Sequence, residues 1–286
     1  MSSNSPELTR LVDWFAEVRR DLPWRDPAAG AWAVLVSEVM LQQTPVVRVL
    51  PVFTAWMARW PDPAALAAVP SGEAIRAWGR LGYPRRALRL HEAARLVVQR
   101  HDGQVPADVD ALLALPGVGG YTARAVAAFA HGQRHAVIDT NVRRVVARWR
   151  QGRADAVTMP LTAVEELLPP TASEAVVVSA ALMELGALVC TARGPVCGEC
   201  PFRESCAWRA AEYPAGPPRR SQGYAGTDRQ VRGRMLALLR DGTAAREESD
   251  LLAVCTDPVQ AARALAGLLA DGLVARRADG TFALPG

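Results

Sequence analysis

Asp108-Val109-Asp110-Ala111-Leu112-Leu113-Ala114-Leu115-Pro116-Gly117-Val118-Gly119-Gly120-Tyr121-Thr122-Ala123-Arg124-Ala125-Val126-Ala127-Ala128-Phe129 sets two apolar-periodic stretches on either side of Leu-Pro-Gly-Val-Gly. The periodicity predicts a helix on each side, and the glycines permit left-handed backbone in the turn between them. Such a turn presents successive backbone N–H groups at the start of the second helix, where a phosphate binds without its sequence being read. An ordinary helix–helix turn shares this outline, but both glycines together with the helical flanks favour a helix-hairpin-helix, with Gly117, Val118 and Gly119 facing the phosphate.

Downstream stands Val137-Ile138-Asp139-Thr140-Asn141-Val142-Arg143-Arg144-Val145. Asp139 follows an apolar pair and precedes a helical pattern, so it is expected to cap the helix and to stay ionised there. Further on, Cys190, Cys197, Cys200 and Cys206 are separated by six, two and five residues. Four thiolates in one short loop are too crowded for two disulfides and select zinc or an iron–sulfur cluster. Zinc sites pair two close knuckles, whereas only Cys197 and Cys200 form one here, which favours a [4Fe-4S] cluster over zinc. The fifth cysteine, Cys255, lies far from the rest.

Upstream, Trp32 to Gln43 reads as a nearly all-apolar helix closed by Thr44-Pro45, with Glu38 in its middle. A carboxyl among Val, Met and Leu is expected to hold a proton near neutrality, although an exposed stripe would also accommodate it. Gln42 and Gln43 fall at the corner, where they project into a ligand or into water. Helices are expected at about 63–68, 71–80 and 84–100, after an opening amphipathic helix that Leu22-Pro23-Trp24-Arg25 breaks. Tyr83 lies on a tight Gly82-Tyr83-Pro84 turn, followed by Arg85, Arg86 and Arg89, a stacking-plus-phosphate pattern for nucleic acid or else a core tyrosine beside a solvated arginine face.

The chain of 286 residues is half apolar yet has no run long enough to span a membrane, and its first residues lack the parts of a signal peptide; a soluble protein of the reducing cytoplasm is expected. Net charge is +4, and all 33 basic residues are arginine, a mild excess that fits a polyanion. Two carboxylates of divergent pKa are the means of breaking a glycosidic bond, one protonating the leaving group and the other steadying the oxocarbenium sugar. With DNA as the polyanion, the target base must first leave the stack.

The motifs LPWR (22–25), SEVMLQQT (37–44), LGY (81–83), LPGVGGYTA (115–123), VIDTNVRRV (137–145) and the four-cysteine loop together resemble the MutY adenine DNA glycosylases, of the superfamily that includes endonuclease III. The resemblance covers about residues 5–210. It implies an all-α helix-hairpin-helix glycosylase fold with a cluster loop, and excision of adenine mispaired with 8-oxoguanine or guanine from double-stranded DNA by a monomeric, nucleoid-associated enzyme. Glu38 matches the general acid that protonates adenine N7, and Asp139 matches the carboxylate that stabilises or captures the sugar cation, with Asn141 in support. Gln43 and Tyr83 match residues that wedge beside the oxidised guanine, and Trp24, Arg25 and Leu41 match contacts to the flipped adenine. Tyr121 occupies the position of the Schiff-base lysine of endonuclease III. A chain without lysine cannot form that imine, so a monofunctional enzyme is expected. Thr140 stands where the family has glycine, and Pro84 where it has a second tyrosine.

A thymine or pyrimidine mismatch glycosylase on the same scaffold and a non-catalytic, cluster-bearing DNA-binding protein are the alternatives. The expected domains are 1–22 with 131–213 around the cluster, 23–130 as a six-helix domain, 214–226 as a linker, and 227–286 as a winged-helix-like module ending in a hairpin with an Asp279-Gly280 turn.

Overall fold

Apolar residues at helical spacing dominate the chain, and the computed structural model, which describes residues 5–216, 223–242 and 244–286, is accordingly mostly helical. Part of the expected 214–226 linker therefore lies outside the described residues. The helices are α1 (Pro6–Val18), α2 (Gly30–Leu41), α3 (Val46–Arg59), α4 (Pro63–Ala67), α5 (Ser71–Trp78), α6 (Arg85–Arg100), α7 (Val109–Leu113), α8 (Gly120–Phe129), α9 (Thr140–Gln151), α10 (Thr162–Glu165), α11 (Ala172–Leu188), α12 (Ala207–Ala210), α13 (Asp228–Asp241), α14 (Glu248–Leu252) and α15 (Pro258–Ala270). Strands β1 (Ala275–Arg276) and β2 (Phe282–Ala283) pair antiparallel. Among the described residues no helix is long and apolar enough to cross a membrane.

Two units divide the chain. The first comprises Met1–Val34, Ala107–Leu113 and Val118–Arg219. Its core joins α1, α9 and α11 through Leu11, Phe15, Val142, Val145, Trp149, Val178, Leu182 and Leu185. Trp149 stacks flat on Phe202 of the cysteine loop, with ring centroids 3.8 Å apart, which ties that loop to α9. Glu184, fully buried in α11, is held by Arg20 and Arg25: Arg20 donates through its backbone N–H at 2.8 Å and through Nη2 at 2.7 Å, and Arg25 through Nη2 at 2.8 Å.

The second unit comprises Leu35–Pro106, Ala114–Gly117 and Arg220–Gly286. Trp56 meets Trp60 and Trp78 edge to face, at 4.6 and 5.8 Å between centroids, and this aromatic group packs α3 on α5. The expected six-helix region 23–130 is thus shared between the units. The expected tail module groups with α3 to α6 rather than standing apart. Its order of elements is α13, a β-bridge at Arg246, α14, α15 and the β1–β2 hairpin; Arg246 pairs with Phe282 through both backbone hydrogen bonds, at 2.9 and 2.8 Å. Three helices with a third strand residue beside the hairpin have the winged-helix outline, and Gly280 (φ 86°) makes the hairpin turn.

Candidate active site

In the first unit, α9 opens at Asp139. Its carboxylate accepts the Val142 backbone N–H at 2.7 Å, and Asn141 Nδ2 donates to its other oxygen at 2.8 Å. Behind Asn141, Arg144 Nη2 donates to Asn141 Oδ1 at 2.8 Å and to the Gly186 carbonyl at 2.6 Å, and its Nε donates to the Cys190 carbonyl at 2.7 Å. A continuous run of hydrogen bonds therefore leads from Asp139 to the backbone of the first cysteine. Gly186 permits it, since a Cβ there would lie 2.6 Å from Asn141 Cβ, so α11 and α9 meet almost backbone to backbone. Burial pushes the Asp139 carboxyl above its usual value, outweighing the helix amide and Asn141, which hold it down. Asp139 is thus the expected cap of α9, and a largely desolvated one whose charge rests on a few directed donors.

The cysteine loop follows. Cys190 follows the end of α11, its N–H donating to Leu185 O at 2.7 Å, Cys197 starts a 3-10 turn (Cys197–Glu199), and Cys206 caps α12. All four are half-buried free thiols. Burial first, then the charges of Cys190, Cys206 and Cys197, push the Cys200 thiol up to about 12. Among the described residues no group of three or more His, Cys, Asp or Glu side chains is drawn up as a metal site. The donor set nevertheless fits a thiolate-bound group: no disulfide consumes the sulfurs, and Arg148 Nη1 lies 3.5 Å from Cys190 Sγ, supplying positive charge where thiolates would gather.

Trp24 is buried in the 3-10 turn Pro23–Arg25, and the Arg25 guanidinium, expected near adenine, is taken up by Glu184. Tyr121 lies half-buried in the first turn of α8, packed against the Ala125, Ala128 and Val137 cluster. Val118 is buried, and Gly119 caps α8 with its surface exposed.

In the second unit, Glu38 is 6 % exposed and flanked by Val36, Val39 and Met40, all buried. The apolar character of α2 on every side thus does bury its carboxyl, as expected. Leu41 and Gln42 are half-buried, and Gln42 Nε2 donates to the Gly117 carbonyl at 3.4 Å. Gly117 has φ 81°, and a Cβ there would approach Arg89 Cβ to 2.9 Å, so both conformation and space require glycine. Gln43 (φ 56°) and Tyr83 (φ 47°) are left-handed non-glycine residues with exposed side chains. Backbone in that region is strained and persists only where its surroundings hold it.

What holds both turns is Arg86. Its Nη1 donates to the carbonyls of Val39, Met40 and Gln42 at 2.9, 2.9 and 2.6 Å, and its Nη2 to Thr44 Oγ1 and Gly82 O at 3.0 Å each. The guanidinium also lies over the Trp78 and Tyr83 rings. Burial lowers its pKa to about 10. The sequence left Arg86 between a phosphate-facing and a solvated arginine face; it is neither, since both its Nη atoms donate to protein carbonyls and to the Thr44 hydroxyl. The roles of Arg86, Arg144 and Glu184 were missed: the two arginines stand beside other arginines that look equally solvated, and Glu184 in its apolar stretch signals burial without naming its partner.

A family profile described as "HhH-GPD superfamily base excision DNA repair protein" matches residues 36–170. The chain is 57 % identical to an adenine DNA glycosylase of Mycolicibacterium smegmatis over 96 % of this chain and 95 % of that one. It is 55 % identical to that of Mycobacterium tuberculosis over 97 % and 93 %, and 42 % identical to that of Homo sapiens over 68 % and 38 %. Among solved structures, a thermostable thymine-DNA glycosylase superposes with a TM-score of 0.64 at 26 % identity, over 71 % of this chain and 95 % of that one. Endonuclease III in a non-covalent DNA complex shares the fold, with a TM-score of 0.59 at 23 % identity over 72 % and 95 %.

Proposed function

The chain belongs to the adenine DNA glycosylases of the helix-hairpin-helix base excision repair superfamily, and from that premise we propose that it removes adenine paired with 8-oxoguanine, or with guanine, as a monofunctional monomeric enzyme with Glu38 as acid and Asp139 as cation stabiliser. Glu38 gives its proton to adenine N7. The bond from C1′ to N9 then breaks, its electron pair leaving with the base, and the cationic sugar is steadied by the Asp139 carboxylate. Water adds at C1′ and returns a proton to the carboxylate left on Glu38, so that an abasic site and free adenine are the products. Asn141 keeps Asp139 oriented, and Gln43 and Tyr83 fill the duplex beside the partner base.

The observation that carries this reading is the burial of Glu38 within the apolar helix α2 of a chain of the adenine glycosylase family, whose reaction calls for an acid at the leaving base. Cys190, Cys197, Cys200 and Cys206 would hold a [4Fe-4S] cluster. When bound, it supplies a covalent cross-link of the loop and a fixed local charge. The residues around it act through protein contacts alone: Arg148 faces the sulfurs, and Trp149 and Phe202 stack behind them.

A single-turnover assay on duplexes with adenine opposite 8-oxoguanine, guanine or thymine, and thymine opposite guanine, tests the reading. Adenine release from the first two, with strand nicking only after alkali, is expected; thymine release alone would overturn it. Tyr121→Lys is expected to gain nicking without alkali, and a correctly folded variant that stays inert would show that residue 121 does not face the sugar.

A further inference from the structure

The turn between α5 and α6, residues 79–84, carries the exposed Tyr83 and passes through the left-handed region at Gly79, Gly82 and Tyr83. Such a turn has no ladder to satisfy its carbonyls, so other groups must do so. Side chains take all four carbonyls from 79 to 82. Thr44 Oγ1 donates to Leu81 O at 3.4 Å, and Trp78 Nε1 and Arg86 Nη2 donate to Gly82 O at 3.0 Å each. Arg48 donates to Arg80 O, and Arg240 donates to Gly79 O. Every donor but one comes from α3, α5, α6 or the α2–α3 corner. Arg240 comes from the end of α13, far along the chain.

The exchange runs both ways. Arg76 of α5 sends Nη1 into the last turn of α13, donating to Leu239 O at 3.3 Å, to Gly242 O at 2.8 Å and to Arg240 O. Those carbonyls have no partner within their own helix, and a cation at a helix C-terminus is favourable. On the other flank of the turn, Asp271 at the end of α15 pairs with Arg85, the first residue of α6, at 3.3 Å. At the start of α5, Gly72 N donates to Pro285 O at 2.9 Å. Residues of 227–286 therefore grip both sides of the Tyr83 turn.

By contrast, α15, the helix that a winged-helix DNA reader would insert into a groove, is a poor reader. Its exposed residues Val259, Ala262, Ala266 and Ala270 are apolar, and Arg263 is bound twice to Asp228, at 2.7 and 2.8 Å.

We propose that the C-terminal module is a brace for the Tyr83 turn, with Arg240 as its positioning residue, and that through this turn it sets the grip on the base opposite adenine. The consequence for the opposite base rests on the reading of Tyr83 given above; the brace itself does not. In the full chain, Arg240→Ala is expected to speed amide exchange at residues 79–83 about ten-fold, the loss of one charge-assisted hydrogen bond, while α3 and α13 keep their protection. Arg240→Lys, which retains a donor, should recover part of it, and Arg263→Ala, remote from the turn, should change nothing there.

On DNA, Arg240→Ala should weaken binding to the adenine:8-oxoguanine duplex about ten-fold and leave adenine release from the saturated complex within about two-fold of the parent. Unchanged exchange at 79–83, or exchange that rises equally across the whole second unit, overturns the brace. Faster local exchange with unchanged duplex affinity overturns the link to Tyr83 alone. Failure of the parent chain to release adenine would instead count against the functional reading and leave the exchange result standing.

Discussion

Asp139 and Tyr83 are held in opposite ways. Around Asp139 the hydrogen bonds end on the side chain: Val142 N and Asn141 grip the carboxylate, Arg144 grips Asn141, and the backbone of α11 presses against α9 at Gly186. Around Tyr83 they end on the backbone, and the aromatic side chain is left half in solvent. A group that must meet a developing charge at fixed distance needs its reactive atoms oriented beforehand. In the proposed reading Tyr83 slides between stacked bases, which asks for a fixed root and a free tip. The difference predicts that substitutions in the carboxylate regions change rates, and that substitutions at the turns change affinity.

The largest expected effect is at the other carboxyl. Glu38→Gln keeps the size of the side chain but has no proton to give. Base release should fall about 10²–10⁴-fold, the range of general acid catalysis, with duplex affinity within a few-fold of the parent. Equal losses in affinity and rate would mean that the α2 carboxyl binds rather than reacts, and would remove the contrast with Tyr83.

Next in size is the pH dependence of Asp139. Its pKa is raised, with burial the leading cause, and the proposed role needs the ionised form. Activity should therefore fall as pH drops through that raised value. Asn141→Ala removes a donor to the charged form and should move this acid limb to higher pH, with about a ten-fold loss of rate near neutrality. A single-turnover pH profile checks it; a limb that does not move would show that Asn141 orients the helix and not the carboxylate.

Most of the fold was legible because helices announce themselves by period. The flanks of Leu115-Pro116-Gly117-Val118-Gly119 became α7 and α8, Asp139 caps α9, and the apolar run around Glu38 is α2. The short α14 and the Arg246 bridge went unseen, since five residues or one bridge leave no periodicity. What sequence alone withheld was the partnership of charges. Arg86 stood in a cluster with Arg85 and Arg89 that read either as a phosphate surface or as a solvated face, yet it is the buried clamp of two turns. The tail read as an appendage because nothing in Arg76 or Arg240 reveals that each is aimed at the other's helix end.

Glu184 separates stability from chemistry in the carboxylate region. Burial opposes its charge, but hydrogen bonds from Arg20 and Arg25 prevail and hold its pKa at about 2. A carboxyl depressed on folding contributes stability that is present above its unfolded value, near 4.3, and is lost as pH falls toward 2. Glu184→Gln should lower stability by about 2 kcal/mol at neutral pH, a figure moderated because both arginines reach solvent. It should also flatten the acid limb of a denaturation series between pH 5 and 2, windows that follow from those two pKa values. Adenine release from the folded variant should stay within a few-fold of the parent.

The smallest effect tests the turns themselves. Gln43 sits at φ 56° with its side chain exposed, a conformation that glycine adopts without the steric penalty of a side chain. If the strain is kept for the sake of the side chain that reaches the duplex, Gln43→Gly should leave thermal stability unchanged or raise it by up to about 1 kcal/mol, relief of strain being offset by the greater freedom of the unfolded glycine. The same variant should bind the mispaired duplex more weakly, as Tyr83→Ala should by about 1–3 kcal/mol through lost stacking. A variant that loses stability instead would show that Gln43 anchors the α2–α3 corner in the free protein. The turn would then be held by its side chain, as Asp139 is, and the two regions would differ less than their hydrogen bonds imply.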